Sequence, residues 1–319
     1  MPRIVSIGAA TQDIFLSGKI FIPVSDGREV YEQLPLGSKL EVEQIDFSTG
    51  GGATNASATF ARQGLDAVFM GVIGHDPAGE AVIKDLDREH IDTSHVVFTD
   101  EFKTGYSCII LSPNGERTVL TYRGASSHFK KDLFDIGKVT ADWIYISSLA
   151  GHMETLEAIV SHAAENNIKV ALNPGKDELA QPAKLRALLD DVEVLQCNTE
   201  EMAQLVEGTT AAELAQHAAH YVPYAIVTDG PKGVAAVGDK KLVVGGMYED
   251  APVIDRLGAG DAFCSGVIAI LAQGKTLEEA IVFASANSTS VVGHIGAKTG
   301  ILKHGVRLHD MPLKVTPFR

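Results

Sequence analysis

The sequence predicts an α/β fold, a three-layer sandwich with a mostly parallel central sheet covered by helices on both faces and a small β-sheet lid. Three observations carry this. Short apolar, β-rich runs alternate with helical patterns over most of the 319 residues, which is the pattern of a parallel sheet buried between two helical layers. Two β-rich stretches break the alternation at 14–48 and 98–123. Two glycine-rich segments each open a helix, where backbone amides can approach a ligand.

Taken in order, Ile4–Ile7 reads as the first buried strand. The stretch 14–48 follows, with Gly18, Pro23, Gly27, Pro35 and Gly37 among short β-like pieces such as Lys39–Ile45. Helices are expected at Thr54–Gln63 and Gly79–Glu89, around a strand at Ala67–Val72. The second excursion holds Tyr106–Leu111 and Arg117–Tyr122, joined across Ser112-Pro113-Asn114-Gly115-Glu116. Asn-Gly tolerates the positive φ angles of a tight hairpin. Strands at Trp143–Ile146, Lys169–Leu172, Val192–Leu195 and Ala225–Thr228 then alternate with helices at Met153–Glu165, Thr199–Val206 and Ala211–Tyr221. Two long apolar helices, Ala259–Gln273 and Leu277–Val292, complete the pattern. The excursions read either as surface loops or as one lid over the mouth of the main sheet. The lid is favoured, because both leave near the ends of core strands, where α/β folds bind ligands. On that reading 1–13, 49–97 and 124–319 form the core, and 14–48 and 98–123 form a discontinuous lid.

Composition excludes several classes. Lys and Arg number 27 against 41 Asp and Glu, a formal net charge of −14, so a nucleic acid would be repelled and none is expected as a partner. The longest apolar stretch, Gly266–Ala272, is far below the ~20 residues of a membrane span, so no membrane partner is expected. Met1-Pro2-Arg3-Ile4 leads straight into a strand pattern without a signal-peptide core, so a cytoplasmic location is expected. The 3 cysteines, Cys108, Cys197 and Cys264, are widely spaced and suit buried thiols. The 11 histidines show no metal-ligand spacing.

Chemistry concentrates in two segments. Asp255-Arg256-Leu257-Gly258-Ala259-Gly260-Asp261 opens a long apolar helix. Its small residues expose amides at the helix start, an anion site, and Asp261 falls in the first turn beside it. A carboxylate there suits accepting a proton from an attacking hydroxyl; the plainer reading is a glycine-rich helix start with an N-terminal charge. Thr49-Gly50-Gly51-Gly52-Ala53-Thr54-Asn55 lets the backbone approach a ligand closely, and Asn55 both donates and accepts. Neither segment is a dinucleotide fingerprint or a Walker loop, which argues against a dehydrogenase. Asp13, after the first strand, suits a polyol.

These residues resemble the ribokinase-like, PfkB-type family of sugar and nucleoside kinases. Gly50-Gly51-Gly52-Ala53-Thr54-Asn55-Ala56-Ser57, then Gly64 and Gly74, is similar to the family's N-terminal signature, and Gly258-Ala259-Gly260-Asp261 to its C-terminal one. Asn198-Thr199-Glu200-Glu201 matches the family's Asn-x-x-Glu, and Thr228-Asp229-Gly230-Pro231-Lys232-Gly233 its Thr-x-Gly-x-x-Gly turn. The resemblance implies a ribokinase-like fold and an ATP-dependent kinase. It implies Asp261 as general base, with the amides of Gly258, Ala259 and Gly260 as anion hole. Asp13, Gly51, Gly52 and Asn55 would hold the sugar or nucleoside. Thr228, Gly230, Gly233, Asn198 and Asn287 would border the nucleotide, and Asn198 and Glu201 would organise Mg²⁺ through water. Asp255 would serve a monovalent-cation site, K⁺ in many members. Members often pair through the lid, although monomeric members exist, so the resemblance leaves a lid-paired homodimer and a monomer both open.

The chain departs from the family pattern. Arg256 and Leu257 stand where the family has two threonines, which puts the K⁺ requirement in doubt; Arg256 reads as a phosphate contact or a solvated charge, the latter favoured. Gly52-Ala53-Thr54 lacks the Lys usual in the ribokinase glycine loop. Asn173-Pro174-Gly175 is similar to a motif of nucleoside-accepting members, whereas Thr104-Gly105 and Gly115-Glu116-Arg117-Thr118 are common in sugar-specific ones. The expectation is phosphorylation of a primary hydroxyl on a small sugar, with a nucleoside as the alternative. A different phosphoryl donor such as ADP and a catalytically silent sugar- or nucleotide-binding regulator are the further alternatives.

Overall fold

A computed structural model of the chain describes residues 1–113, 116–248 and 252–318. The chain begins with β1 (Arg3–Ile7) and β2 (Thr11–Ser17), a short extended pair β3 (Val24–Ser25) and β4 (Val30–Tyr31), and β5 (Gln44–Gly50). After α1 (Gly52–Arg62) come β6 (Asp66–Met70), β7 (Val72–Gly74), α2 (Pro77–Arg88), β8 (Val97–Thr99), β9 (Gly105–Leu111) and β10 (Arg117–Tyr122). Then follow β11 (Trp143–Ile146), α3 (Met153–Glu165), β12 (Lys169–Leu172), the short α4 (Lys176–Leu179) and α5 (Pro182–Arg186), and β13 (Val194–Asn198). The chain ends with α6 (Thr199–Met202), α7 (Ala211–Ala218), β14 (Tyr224–Thr228), β15 (Val234–Gly238), β16 (Lys241–Gly245), α8 (Ala259–Ala272), α9 (Leu277–Val292) and β17 (Leu313–Pro317).

The central sheet runs β17-β16-β15-β14-β13-β12-β11-β1-β6. Pairings from β14 through to β6 are parallel, and those among β14, β15, β16 and β17 are antiparallel. Alternate residues feed two cores, because side chains on a strand alternate between faces. Val5 and Ile7 pack with α3 and α7 on one face, and Ile4 packs with α1, α8 and α9 on the other. The result is three layers. At the centre of one layer Gly266 of α8 lets α9 approach, since a Cβ there would lie 3.0 Å from Ala284 Cα.

A second sheet, β10-β9-β2-β5, is built from both excursions. β2 pairs antiparallel with β5 and parallel with β9, and β9 pairs antiparallel with β10. The Asn114-Gly115 connection lies outside the described residues. The lid's strands are not where the sequence put all of them: of Lys39–Ile45 only the last two residues fall in β5. Thr199–Val206 shortens to α6, and Ala67–Val72 is split between β6 and β7. β15, β16 and β17 extend the sheet beyond the expected strands. β15 and β16 join through Asp239 and Lys240, both at positive φ (49° and 59°), the geometry of a two-residue hairpin. The cysteines are free, and burial pushes the Cys264 thiol up to about 12. No helix among the described residues is long and apolar enough to cross a membrane.

Candidate active site

Several predicted site residues lie at the carboxyl edge of the parallel strands, where Asn198 ends β13 and Thr228 ends β14 and loops leave the sheet, free to meet a ligand. α8 supplies one wall. Gly258 caps it at φ 77°, a left-handed conformation that other residues adopt only with strain. A Cβ there would lie 2.7 Å from Ala297 Cα, so space as well as φ requires glycine. In the helix first turn the amides of Gly260 and Asp261 have no intrahelical acceptor, and the helix dipole adds positive potential there.

The glycine segment supplies the facing wall. Gly51 is at φ 99°, and any side chain would strike the Ala9 carbonyl. That turn starts α1 against α8, and a Cβ on Gly52 would lie 3.4 Å from Asp261 Oδ1. Asn55 Nδ2 donates to Asp261 Oδ2 at 2.8 Å, and Asn55 Oδ1 is buried without a partner among the described residues. Asp261 is half-buried. Burial raises its carboxyl above the usual range, and the Asn55 hydrogen bond only partly opposes this. A carboxylate so placed has one oxygen oriented and the other open towards whatever occupies the cleft.

Asp13 comes from β2 on the lid. It is 3% exposed, and burial raises its carboxyl against the pull of the Thr11 and Ser107 hydroxyls and the Lys298 charge. Lys298 was not anticipated. Its Nζ, 6% exposed as a residue, donates to Thr49 Oγ1 at 2.7 Å and to Asp85 Oδ2 at 3.2 Å, while Thr49 Oγ1 also donates to Asp85. Burial alone would raise Asp85; the Lys298 charge and the Thr49 hydroxyl outweigh it, and the carboxyl sits below its usual value. The network ties the end of β5, immediately before the glycine segment, to α2 and the chain after α9.

On the far side of α8 lies a groove of about 350 Å³. Thr228, Gly230 and Gly233 line it together with Arg256, Ala259 and Gly260. Arg256 is exposed there. Asn287 is not part of this lining. It is fully buried, with Nδ2 donating to Ala262 O at 2.8 Å and Oδ1 accepting from Leu302 N at 2.8 Å, so both ends of its amide are committed to backbone. The groove residues on α9 are Ser285, Ser288, Thr289 and Val292, and Ser288 also donates to Ala259 O at 2.9 Å. No local signal separates them from Asn287 on a helix buried almost all round.

Asn198 and Glu201 form a reciprocal cap at the start of α6. Asn198 Oδ1 accepts from Glu201 N, and Glu201 Oε2 accepts from Asn198 N, each at 2.9 Å. Register puts Asn198 beside Thr228, and the Glu201 charge acts on Cys264, one turn beyond Asp261 on α8. Glu201 keeps one oxygen free of the cap. Among the described residues no three acidic, histidine or cysteine side chains converge as direct metal ligands. One carboxylate with phosphates and water is the donor set that Mg²⁺ accepts, so these residues fit an ion held through water. Asp255 is enclosed away from solvent. Its side chain is fully buried, Oδ1 accepts from Leu257 N at 2.9 Å, Oδ2 accepts from Gly296 N at 3.2 Å, and Arg117 lies 3.9 Å from Oδ1. Asn173 donates through Nδ2 to Gln196 O at 2.9 Å, which gives the Asn-Pro-Gly turn a structural task.

Solved structures place the fold. A nucleoside kinase of Methanocaldococcus jannaschii superposes with a TM-score of 0.77 at 20% identity, covering 95% of each chain. A ribokinase of Arabidopsis thaliana, solved with ribose and ATP, gives 0.76 at 22% identity, covering 95% of this chain and 96% of that one. The architecture is therefore that of the ribokinase fold. Among curated proteins, a ribokinase of Bacillus subtilis is 26% identical over 306 residues, 94% of this chain and 96% of that protein. A fructokinase of Vibrio alginolyticus is 28% identical over 239 residues, covering 70% and 76%. Residues 4–304 match the model for the pfkB family carbohydrate kinase, nearly the whole chain, and this protein belongs to that family. It is a phosphotransferase of the carbohydrate kinase type, acting on an alcohol group.

Proposed function

We propose that the protein is an ATP-dependent kinase that phosphorylates a primary hydroxyl of a small sugar. One observation carries the reading: Asp261 stands in the first turn of α8, oriented by Asn55, while the adjacent free amides of the same turn open towards the groove lined by Thr228 and Gly233. Acceptor and donor would thus meet at one helix start. Asp13, Asn55 and the Gly51-Gly52 backbone hold the acceptor hydroxyls, and Asp261 takes the proton as the hydroxyl attacks. The amides of Gly258 and Gly260, with the free amide of Asp261, take the charge of the transferring phosphoryl group; the expected Ala259 amide instead donates to Arg256 O at 3.4 Å. Thr228, Gly230 and Gly233 border ATP, and Ser285, Ser288 and Thr289 take the place expected for Asn287. Mg²⁺ held through water by Glu201 beside Asn198 would neutralise phosphate charge when bound. The rest is alignment in a site that excludes water.

The lid closes on the core. Beyond the expected 14–48 and 98–123 it takes in 11–13 and 49–50, because β2 (Thr11–Ser17) and β5 (Gln44–Gly50) run past the expected boundaries with the core segments 1–13, 49–97 and 124–319. One of its faces carries Asp13; the other carries Ile14, Phe47, Cys108 and Leu120 in register across four strands. Phe47 is 65% and Leu120 58% exposed. An apolar face of this kind on a soluble sheet marks an interaction surface, and a second copy of the chain pairing lid to lid is its proposed occupant. The test of function is product formation with ATP and Mg²⁺ across ribose, fructose, 2-keto-3-deoxygluconate, adenosine, inosine and cytidine, then with ADP as donor. Asp261-dependent turnover of a sugar supports the reading. Turnover of a nucleoside alone replaces the acceptor, and turnover of none of them overturns it.

A further inference from the structure

Arg117 begins β10 and lies on the lid face that carries Asp13, since its register partner Leu111 aligns with Ser17 on β2. Its Nε is buried without a hydrogen-bond partner among the described residues, 3.9 Å from Asp255 Oδ1 across the cleft. Asp255 belongs to the other body, in the turn that leads into α8. Two backbone amides orient its oxygens, but amides do not cancel a full charge, and a buried carboxylate needs a cation. Lys298 is engaged by Thr49 and Asp85, and the Arg256 side chain faces solvent and the groove. Arg117 is the cation aimed at Asp255.

We propose that Arg117 is a positioning residue. Lid closure brings its guanidinium to Asp255, so the charge that sets the turn before the anion hole comes from the chain itself rather than from a bound monovalent ion. Asp255 holds Leu257 N, and the next residue is Gly258, whose φ of 77° aims the first amides of α8. A small tilt of this turn moves every donor at the helix start. Closure over an acceptor would therefore complete the phosphoryl site, and an open lid would leave Asp255 uncompensated and the donors misaligned. The inference rests on the reading of α8 as the phosphoryl-transfer site, and K⁺ then has no vacant role beside Asp255.

The test compares potassium, sodium and choline chloride at equal ionic strength. The native protein should show one melting temperature and one kcat in all three salts. Arg117→Met should lose up to about a hundredfold in kcat in choline, the scale of an ångström of misplacement, with KM for the donor moving far less. Potassium or added guanidinium should restore part of that kcat, potassium should raise the melting temperature of this variant alone, and Arg117→Lys should keep most activity. A native protein stabilised by potassium or dependent on it for turnover would overturn the proposal, as would Arg117→Met with native kcat. Melting needs no acceptor, so a wrong reading of function would leave this comparison intact.

Discussion

Asp261→Asn separates chemistry from binding and from folding. The two side chains are nearly isosteric, and the new amide can turn its carbonyl oxygen to Asn55 Nδ2, which sits 2.8 Å from Oδ2 in the native site. The glycine segment therefore keeps its hold on α8. What disappears is the proposed proton acceptor, a role whose contribution runs to about 10²–10⁴ in rate, or about 3–5 kcal/mol of barrier. The groove proposed for ATP is lined by other residues, so the donor KM should stay put while kcat collapses.

Stability should move the other way. Burial raises the Asp261 carboxyl, so its ionised form is the disfavoured one in the folded chain. Stability from such a group is full below the ordinary carboxylate value and is lost as pH rises through the raised one. The amide has no charge to bury. At neutral pH the variant should melt at or above the native temperature, and the two should converge in acid. In the native enzyme kcat should fall with pH through the same raised value, placing the acid limb above the ordinary carboxylate pKa of about 4. The assay is coupled ADP release, with thermal melting on the same preparations. A variant with native kcat, or one that loses turnover and melting temperature together, would refute the reasoning.

Gly258→Ala forces a left-handed residue at about 1–2 kcal/mol and brings a methyl against Ala297; a lower melting temperature and a fall in kcat larger than any change in KM are expected. Lys298→Met leaves Asp85 without its buried cation, although Arg88 still reaches it, so a loss of about 3 kcal/mol in urea unfolding at neutral pH is expected. That difference should shrink as Asp85 protonates in acid, because its carboxyl is held below the usual value. Phe47→Glu combined with Leu120→Glu puts charges on the outer lid face and should shift sedimentation from dimer to monomer. An unchanged sedimentation coefficient would remove that face as the interface.

Much of the core was legible because it follows from local rules. Met153–Glu165 and Leu277–Val292 carry helical periodicity between clear stops, and α3 and α9 have those limits. The antiparallel edge was missed for a physical reason: β15 turns into β16 through Asp239-Lys240, whose positive φ values carry no glycine or asparagine to announce them. β17 is largely exposed and has no apolar run. The two glycine segments could be read because close approach demands glycine. Lys298 and Thr49 could not be paired from sequence, since 249 positions separate them. Asn287 was misplaced because a helix buried almost all round does not reveal which polar side chain faces a groove and which one clamps backbone.

Carboxylates near the cleft can be sorted by what already binds them. An ionised carboxylate has about four acceptor sites. Glu178 fills its sites with Leu149 N, Gly151 N, Ser148 Oγ and Gly175 N, at 2.7–3.0 Å, and so pins the loop after β11. Asp13 is met by two hydroxyls and Asp261 by one amide, and burial raises both. Spare acceptor capacity on a destabilised anion is what a sugar hydroxyl can use; a saturated carboxylate offers it nothing. Glu178→Gln should therefore cost stability, about 1–3 kcal/mol for the amides it strands, with a smaller effect on the acceptor KM. Asp13→Asn should do the reverse, raising the acceptor KM by about tenfold or more for a lost charged hydrogen bond while the fold melts no lower. Unfolding curves and acceptor titrations on both variants decide it: if Glu178→Gln raises the acceptor KM as much as Asp13→Asn at unchanged stability, saturation does not distinguish scaffold from site.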